Sequence, residues 1–235
     1  MHGWAGYQQE WVPQLEHFSN SHLVVAIDLA GHGISGNNRE SWTMGAFGED
    51  VAAVVKQLGI KKAVLIGHSM GTPVILEAAQ RFPQETVALI PVDMLHNVES
   101  TYAEGQIEDM AEEFMASLNN PTHESLEIWF RPSVDPTLVD AYIEYCNSVS
   151  QVGWEESLRE VLAWVSNDQL EVLQETTAPV HCINADRPVT DVEMARKYVR
   201  PFDVTVIAGV GHSIHWEVPN EFNRVLEEVL STINP

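Results

Sequence analysis

The sequence predicts an α/β protein with a mostly parallel sheet flanked by helices, and three observations carry that prediction. Short runs rich in branched apolar residues, each ending in turn residues, alternate with amphipathic stretches. One long central segment shows helical periodicity and no strand signal. A Gly-x-Ser-x-Gly pattern lies between a strand-like run and a helix-like one.

Five runs read as strands: HLVVAIDL (residues 22–29), KAVLIGH (62–68), TVALIPVD (86–93), PVHCIN (179–184) and DVTVIAG (203–209). Between them, stretches such as EDVAAVVKQLG place Val51, Val54, Val55 and Leu58 at helical spacing. From about residue 95 to 176 only helical patterns occur, with acidic faces and apolar stripes that include Trp129, Phe130, Tyr142, Trp154 and Trp164. The expected organisation is a core of residues 1–94 and 177–235, interrupted by a helical lid over 95–176.

Composition narrows the function classes. The chain has 235 residues, enough for one well-buried domain, with 12 basic against 34 acidic residues and a formal charge of −22. That charge repels polyanions and anionic membrane surfaces, so neither nucleic acid nor membrane is expected as a partner. The longest apolar run is too short to cross a bilayer, and the N-terminus has no signal-peptide pattern. Two cysteines, Cys146 and Cys182, are too few for a disulfide framework, which favours a reducing compartment and a cytoplasmic location.

The strongest local signal is IGHSMGTPVILEAAQRF, in which Gly67, Ser69 and Gly71 form the Gly-x-Ser-x-Gly pattern. A serine in so sharp a strand-to-helix turn needs small neighbours, and the turn presents its hydroxyl at the start of a helix. A serine hydroxyl is a weak nucleophile and requires a base. His212, after Gly211 in AGVGHSIHWEVP, is the candidate. His212 and His215 form an H-x-x-H pair, but with no third ligand evident nearby in the sequence, metal binding is not expected and no cofactor is assigned. Candidate oxyanion donors are the N–H of Met70, next to the serine, and of Trp4 in the opening MHGWAG. GHGISG (residues 31–36) matches a dinucleotide fingerprint literally, yet NNRESW follows instead of a helix, so a dinucleotide site is not expected.

With HGW near the start, DLAGHGISG, GHSMG and GVGHSIHWEVP in that order, the chain resembles the α/β-hydrolase family over nearly its whole length. The resemblance implies the α/β-hydrolase fold with an inserted lid, and a Ser-His-acid triad that cleaves a carboxylic ester through an acyl-enzyme. Lactones, C–C hydrolysis of diketones and peracid chemistry use similar sites. So would a non-catalytic binding protein for a small ligand. His68, Trp129 and Trp154 are the candidate pocket residues, and a monomer or homodimer is expected.

Two departures from the family pattern stand out. The acid usually follows the penultimate strand, where this chain has Ile183-Asn184-Ala185-Asp186-Arg187-Pro188, with proline at the acid's position. Asp186 falls two residues early and Asp191 three late. Haloalkane dehalogenases and their relatives instead carry the acid after the strand that follows the nucleophile helix, which here is Asp93. Asp93 is therefore the first choice and Asp186 the second. The family also begins with further strands, the last of which leads into the His-Gly turn, whereas nothing precedes it here. A truncated chain is expected on that ground, with an inner sheet position empty or filled unusually and Trp4 poorly held.

Overall fold

The computed structural model describes residues 1–103, 105–131 and 133–233; Glu104 and Pro132 of the expected lid and the last two residues of the second core part lie outside them. Four parallel strands, β1 (Ala63–His68), β2 (Thr86–Val92), β3 (Val180–Ala185) and β4 (Phe202–Ile207), form one sheet in sequential order. Their sequences explain the geometry. β2 and β3 read TVALIPV and VHCINA, and all but one residue of each is buried, as expected where helices cover both faces.

The helices are α1 (Val12–Phe18), α2 (Met44–Leu58), α3 (Gly71–Arg81), α4 (Gln106–Leu118), α5 (Pro136–Ser148), α6 (Trp154–Asn167), α7 (Gln169–Glu175), α8 (Val192–Ala195), α9 (Ile214–Glu217) and α10 (Pro219–Thr232). Local chemistry sets their ends. The Thr43 side chain accepts from the Ala46 N–H to start α2, and Gly59, at φ 66°, closes it in the left-handed conformation. α2 and α3 bury Phe47, Val51, Val74 and Ile75 on one side of the sheet, while α1 and α10 bury Phe18, Phe222, Val225 and Val229 on the other. Among the described residues, 95–176 contains helices α4 to α7 and no strand, in the place expected for a lid.

Four of the five expected strands are present within a residue or two. The run at 22–29 is extended but unpaired, and this corrects the expectation of a strand there. Sheet pairing needs a neighbour at hydrogen-bonding distance, and a cavity of about 630 Å³ separates Leu23–Ile27 from Ala63–Ile66. At that edge of β1 the Met1 N–H donates to the Ile66 carbonyl at 2.7 Å, and the His68 N–H donates to the Met1 carbonyl at 3.0 Å. The space beside β1 is thus open between these two segments. Trp4, in contrast, is firmly held: its indole N–H donates to the Trp154 carbonyl at 2.7 Å, and its ring packs against Phe114, Trp129 and Trp154.

GHGISG is a structural turn. Asp28 accepts from the Gln8 N–H at 2.6 Å and the Ile34 N–H at 3.1 Å, and Gly33, at φ 53°, lies against its carboxyl group, where a side chain would collide. The turn wraps a carboxylate, so it repels a phosphate instead of cradling one.

Candidate active site

β1 delivers Ser69 into a turn at φ 49°, a left-handed conformation uncommon for a residue with a side chain. The turn is tight because α3 starts at Gly71: a side-chain carbon at Gly67 would strike the Gly71 carbonyl, and one at Gly71 would crowd the carbonyls of Met1 and His2. The Thr72 N–H and hydroxyl lock it by donating to Ser69 O at 2.8 Å and Gly67 O at 2.9 Å.

β2 ends at a second strained residue, Asp93, also at φ 49°. Its carboxylate is 5% exposed, and Oδ2 accepts from His212 Nδ1–H at 2.6 Å. Oδ1 accepts from the Ala185 N–H at 2.9 Å, with His96 Nε2 at 3.4 Å. Burial opposes ionisation of Asp93. The hydrogen bonds from His212 and His96, the His212 charge and the Ala185 N–H together outweigh it and hold the carboxyl below the usual carboxylate range.

The backbone of His212 is gripped from both sides. Its N–H donates to the Trp129 carbonyl at 3.1 Å, and its carbonyl accepts from His68 Nε2–H at 2.9 Å. Ser69 and His212 line one cavity of about 240 Å³ with Trp4, Met94, Phe114 and Trp129. Among the described residues no hydrogen bond joins the Ser69 hydroxyl to His212, and neither the Met70 nor the Trp4 backbone N–H has a hydrogen-bond partner.

The competing aspartates have other occupations. Asp186 accepts from Arg131 Nη2 at 3.0 Å and the Gly209 N–H at 3.2 Å, which ties the helical segment between β2 and β3 to the loop carrying His212. Asp191 caps α8 by accepting from the Met194 N–H at 2.9 Å. His68 and Trp129 line the cavity, as expected of pocket residues. Trp154 does not: it is fully buried, and its indole N–H donates to the Gly31 carbonyl at 3.1 Å, so it anchors the helical segment between β2 and β3 to the core.

The sequence reading missed Glu10. Glu10, His68 and His215 are all buried and bring one potential ligand atom each within 4.8 Å of one another, which corrects the expectation that His215 has no third donor nearby. Two imidazoles and one carboxyl group this close can exchange protons as well as ligate an ion. Glu10 stands in no motif, between Gln9 and Trp11, and the sequence alone carries no signal for it.

A strained serine at a strand-to-helix elbow and an Asp-His pair facing the same cavity, on a parallel sheet with an inserted helical segment, define a hydrolase-type fold and site. The sequence profile described as "Alpha/beta hydrolase family" matches residues 1–225, and the chain belongs to that family. It is 36% identical over 108 residues to the dihydrolipoyllysine-residue acetyltransferase component of the acetoin cleaving system of Cupriavidus necator, covering 45% of this chain and 29% of that protein. It is 38% identical over 88 residues to the bifunctional esterase/perhydrolase DCH of Acinetobacter calcoaceticus, covering 37% and 32%. The matches thus span about a third of these curated relatives. Among solved structures, a thermophilic esterase from Thermogutta terrifontis superposes with a TM-score of 0.83 at 20% identity, covering 100% of this chain and 89% of that one. The enol-lactonase of Burkholderia xenovorans superposes at 0.81 with 16% identity, covering 98% and 89%. At these identities the likeness is one of fold.

Proposed function

We propose that this chain is a serine hydrolase that cleaves a carboxylic ester of a small molecule. The observation that carries the reading is the 2.6 Å Asp93–His212 pair opening onto the same cavity as Ser69. Asp93 holds Nδ1–H of His212, which leaves Nε2 as the proton acceptor. Ser69 Oγ loses its proton to Nε2 and attacks the carbonyl carbon. The oxyanion that forms is met by the Met70 and Trp4 N–H groups, a contribution of about 10²–10³ in rate per donor in comparable sites. His212 then protonates the departing alkoxide, and water repeats the sequence to release the acid and restore Ser69.

An ester is favoured over the other acyl substrates because esterases occur among both the curated relatives and the structural neighbours. The charge of −22 and two buried free cysteines support a cytoplasmic monomer or homodimer. Among the described residues no helix is long and apolar enough to cross a membrane.

The test needs no choice of substrate. A fluorophosphonate should add one covalent mass to the wild-type chain, and none to Ser69→Ala or His212→Ala. A folded wild-type chain that stays unlabelled would overturn the proposal.

A further inference from the structure

Beneath the Ser69 elbow lies a buried polar cluster with no task in the mechanism above. His68 Nε2 faces the His212 carbonyl, which can only accept, so the His68 proton sits on Nε2 and Nδ1 carries a lone pair. That Nδ1 is buried and has no hydrogen-bond partner among the described residues. Both ring nitrogens of His215 are likewise buried and unpartnered, its ring stacked on Trp11 at 4.1 Å. His68 can only accept at Nδ1, and neutral His215 has one N–H and one lone pair, so the two facing rings hold two acceptors and one donor. Glu10 is the group that can supply a second donor. It is 4% exposed, its Oε2 lies 3.7 Å from His215 Nε2, and it lines the active-site cavity with His68.

We propose that Glu10 acts as a neutral carboxylic acid whose proton fixes His68 in the Nε2–H tautomer, making Glu10 and His68 positioning residues for the backbone of His212. The inference rests on the reading of His212 as the catalytic base. Glu10 and His68 bring ligand atoms within 4.8 Å of one another, a span that one buried bridging water closes. When Glu10 ionises it changes from donor to acceptor. His68 then gains by turning its proton to Nδ1, toward the carboxylate, and releases the His212 carbonyl.

The surroundings favour the neutral acid. Burial pushes Glu10 up to about 8, with Asp28 adding to the rise, while the Tyr7 N–H and the Met1 N-terminus pull it down; burial lowers that N-terminus to about 5, so it is an uncharged amine from pH 7 to 9. Tyr142, Tyr145 and Cys146 of α5 also face Glu10, and burial keeps each of them un-ionised well beyond neutral pH. Burial pushes His68 and His215 well below the usual histidine range; His212 and His215 add to the effect at His68, where Asp93 and the His212 carbonyl oppose it, and the Met1 N-terminus, His212 and His2 add to it at His215. Of the groups facing the cluster, Glu10 is therefore the one that changes charge as pH rises from 7 to 9.

Two readouts on the whole chain test this. The first is the fluorophosphonate labelling rate between pH 6 and 10. Wild type should lose rate with a midpoint about pH 8, by roughly tenfold at pH 9.5. Glu10→Gln keeps an N–H donor that cannot ionise, so it should label within about threefold of wild type at pH 7 and lack the alkaline fall. The second is the ¹⁵N NMR tautomer of His68, which should be Nε2–H at pH 7 in both proteins and change through pH 8 only in wild type. Identical pH profiles in the two proteins, or an Nδ1–H tautomer at pH 7, overturns the inference. Loss of all labelling with the tautomer behaviour intact would strike the hydrolase reading and the role of the relay in catalysis, while leaving the Glu10–His68 contact standing.

Discussion

Asp93 and Asp186 are the same residue type on neighbouring loops, and their surroundings give them different work. Asp93 meets His212, His96 and the Ala185 N–H in a buried turn, whereas Asp186 is 37% exposed and spans Arg131 and the Gly209 N–H. Asp93→Asn is expected to lower turnover by about 10³–10⁴-fold, because the amide no longer selects the His212 tautomer. Asp186→Asn should stay within about threefold, as it alters a half-exposed pair worth about 1 kcal/mol or less. Ester turnover, with circular dichroism to confirm folding, checks both. Equal losses in the two variants would mean that Asp93 is not the triad acid.

At the scale of elements, the helical segment between β2 and β3 is joined to the loop that carries His212. The Trp129 carbonyl holds the His212 N–H, and Arg131 holds Asp186. Two tryptophans of this segment separate binding from stability. Trp154 is fully buried against Trp4 and Tyr145, so Trp154→Ala should cost about 3–5 kcal/mol of stability. Trp129 faces the cavity beside His212, and Trp129→Ala should raise KM more than it lowers the unfolding midpoint. Denaturant unfolding alongside steady-state kinetics distinguishes them, and a pattern reversed between the two would contradict the assignment. Element identity was readable from pattern alone: four strands and the helices fell where branched apolar runs and helical spacing put them. The run at 22–29 has the same pattern and is no strand, because pairing is a property of two segments and its neighbour position is open.

For the molecule as a whole, Glu10 links pH to stability. Its folded value is raised to about 8 above an unfolded value near 4.3, so its contribution is fully present below the unfolded value and is lost as pH rises through 8. Buried His68 and His215, shifted downward, give the opposite slope below about pH 6.5. The Met1 amine, lowered by burial from 8.0 to about 5, gives the same opposite slope between pH 5 and 8 and offsets Glu10 in wild type. Glu10→Gln removes only the Glu10 slope, so from pH 6.5 to 8 its unfolding free energy should rise relative to wild type by up to about 1.4 kcal/mol per pH unit. Urea titrations at half-unit steps would show it, and parallel curves for the two proteins would exclude the linkage.

The sequence by itself determined what is local or periodic: the four strands, the helices, the Ser69 elbow with its glycines, His212 and the two candidate acids. These follow from residue spacing and from backbone angles that only certain residues tolerate. Tertiary structure decided what depends on meeting across the chain. Asp93 reaches His212 over 119 residues, Trp154 turns to the core instead of the pocket, and Glu10 closes on His68 and His215. Spacing along a chain carries no distance between separate elements, and burial, which sets the charge of Glu10 and Asp93, exists only once those elements have packed.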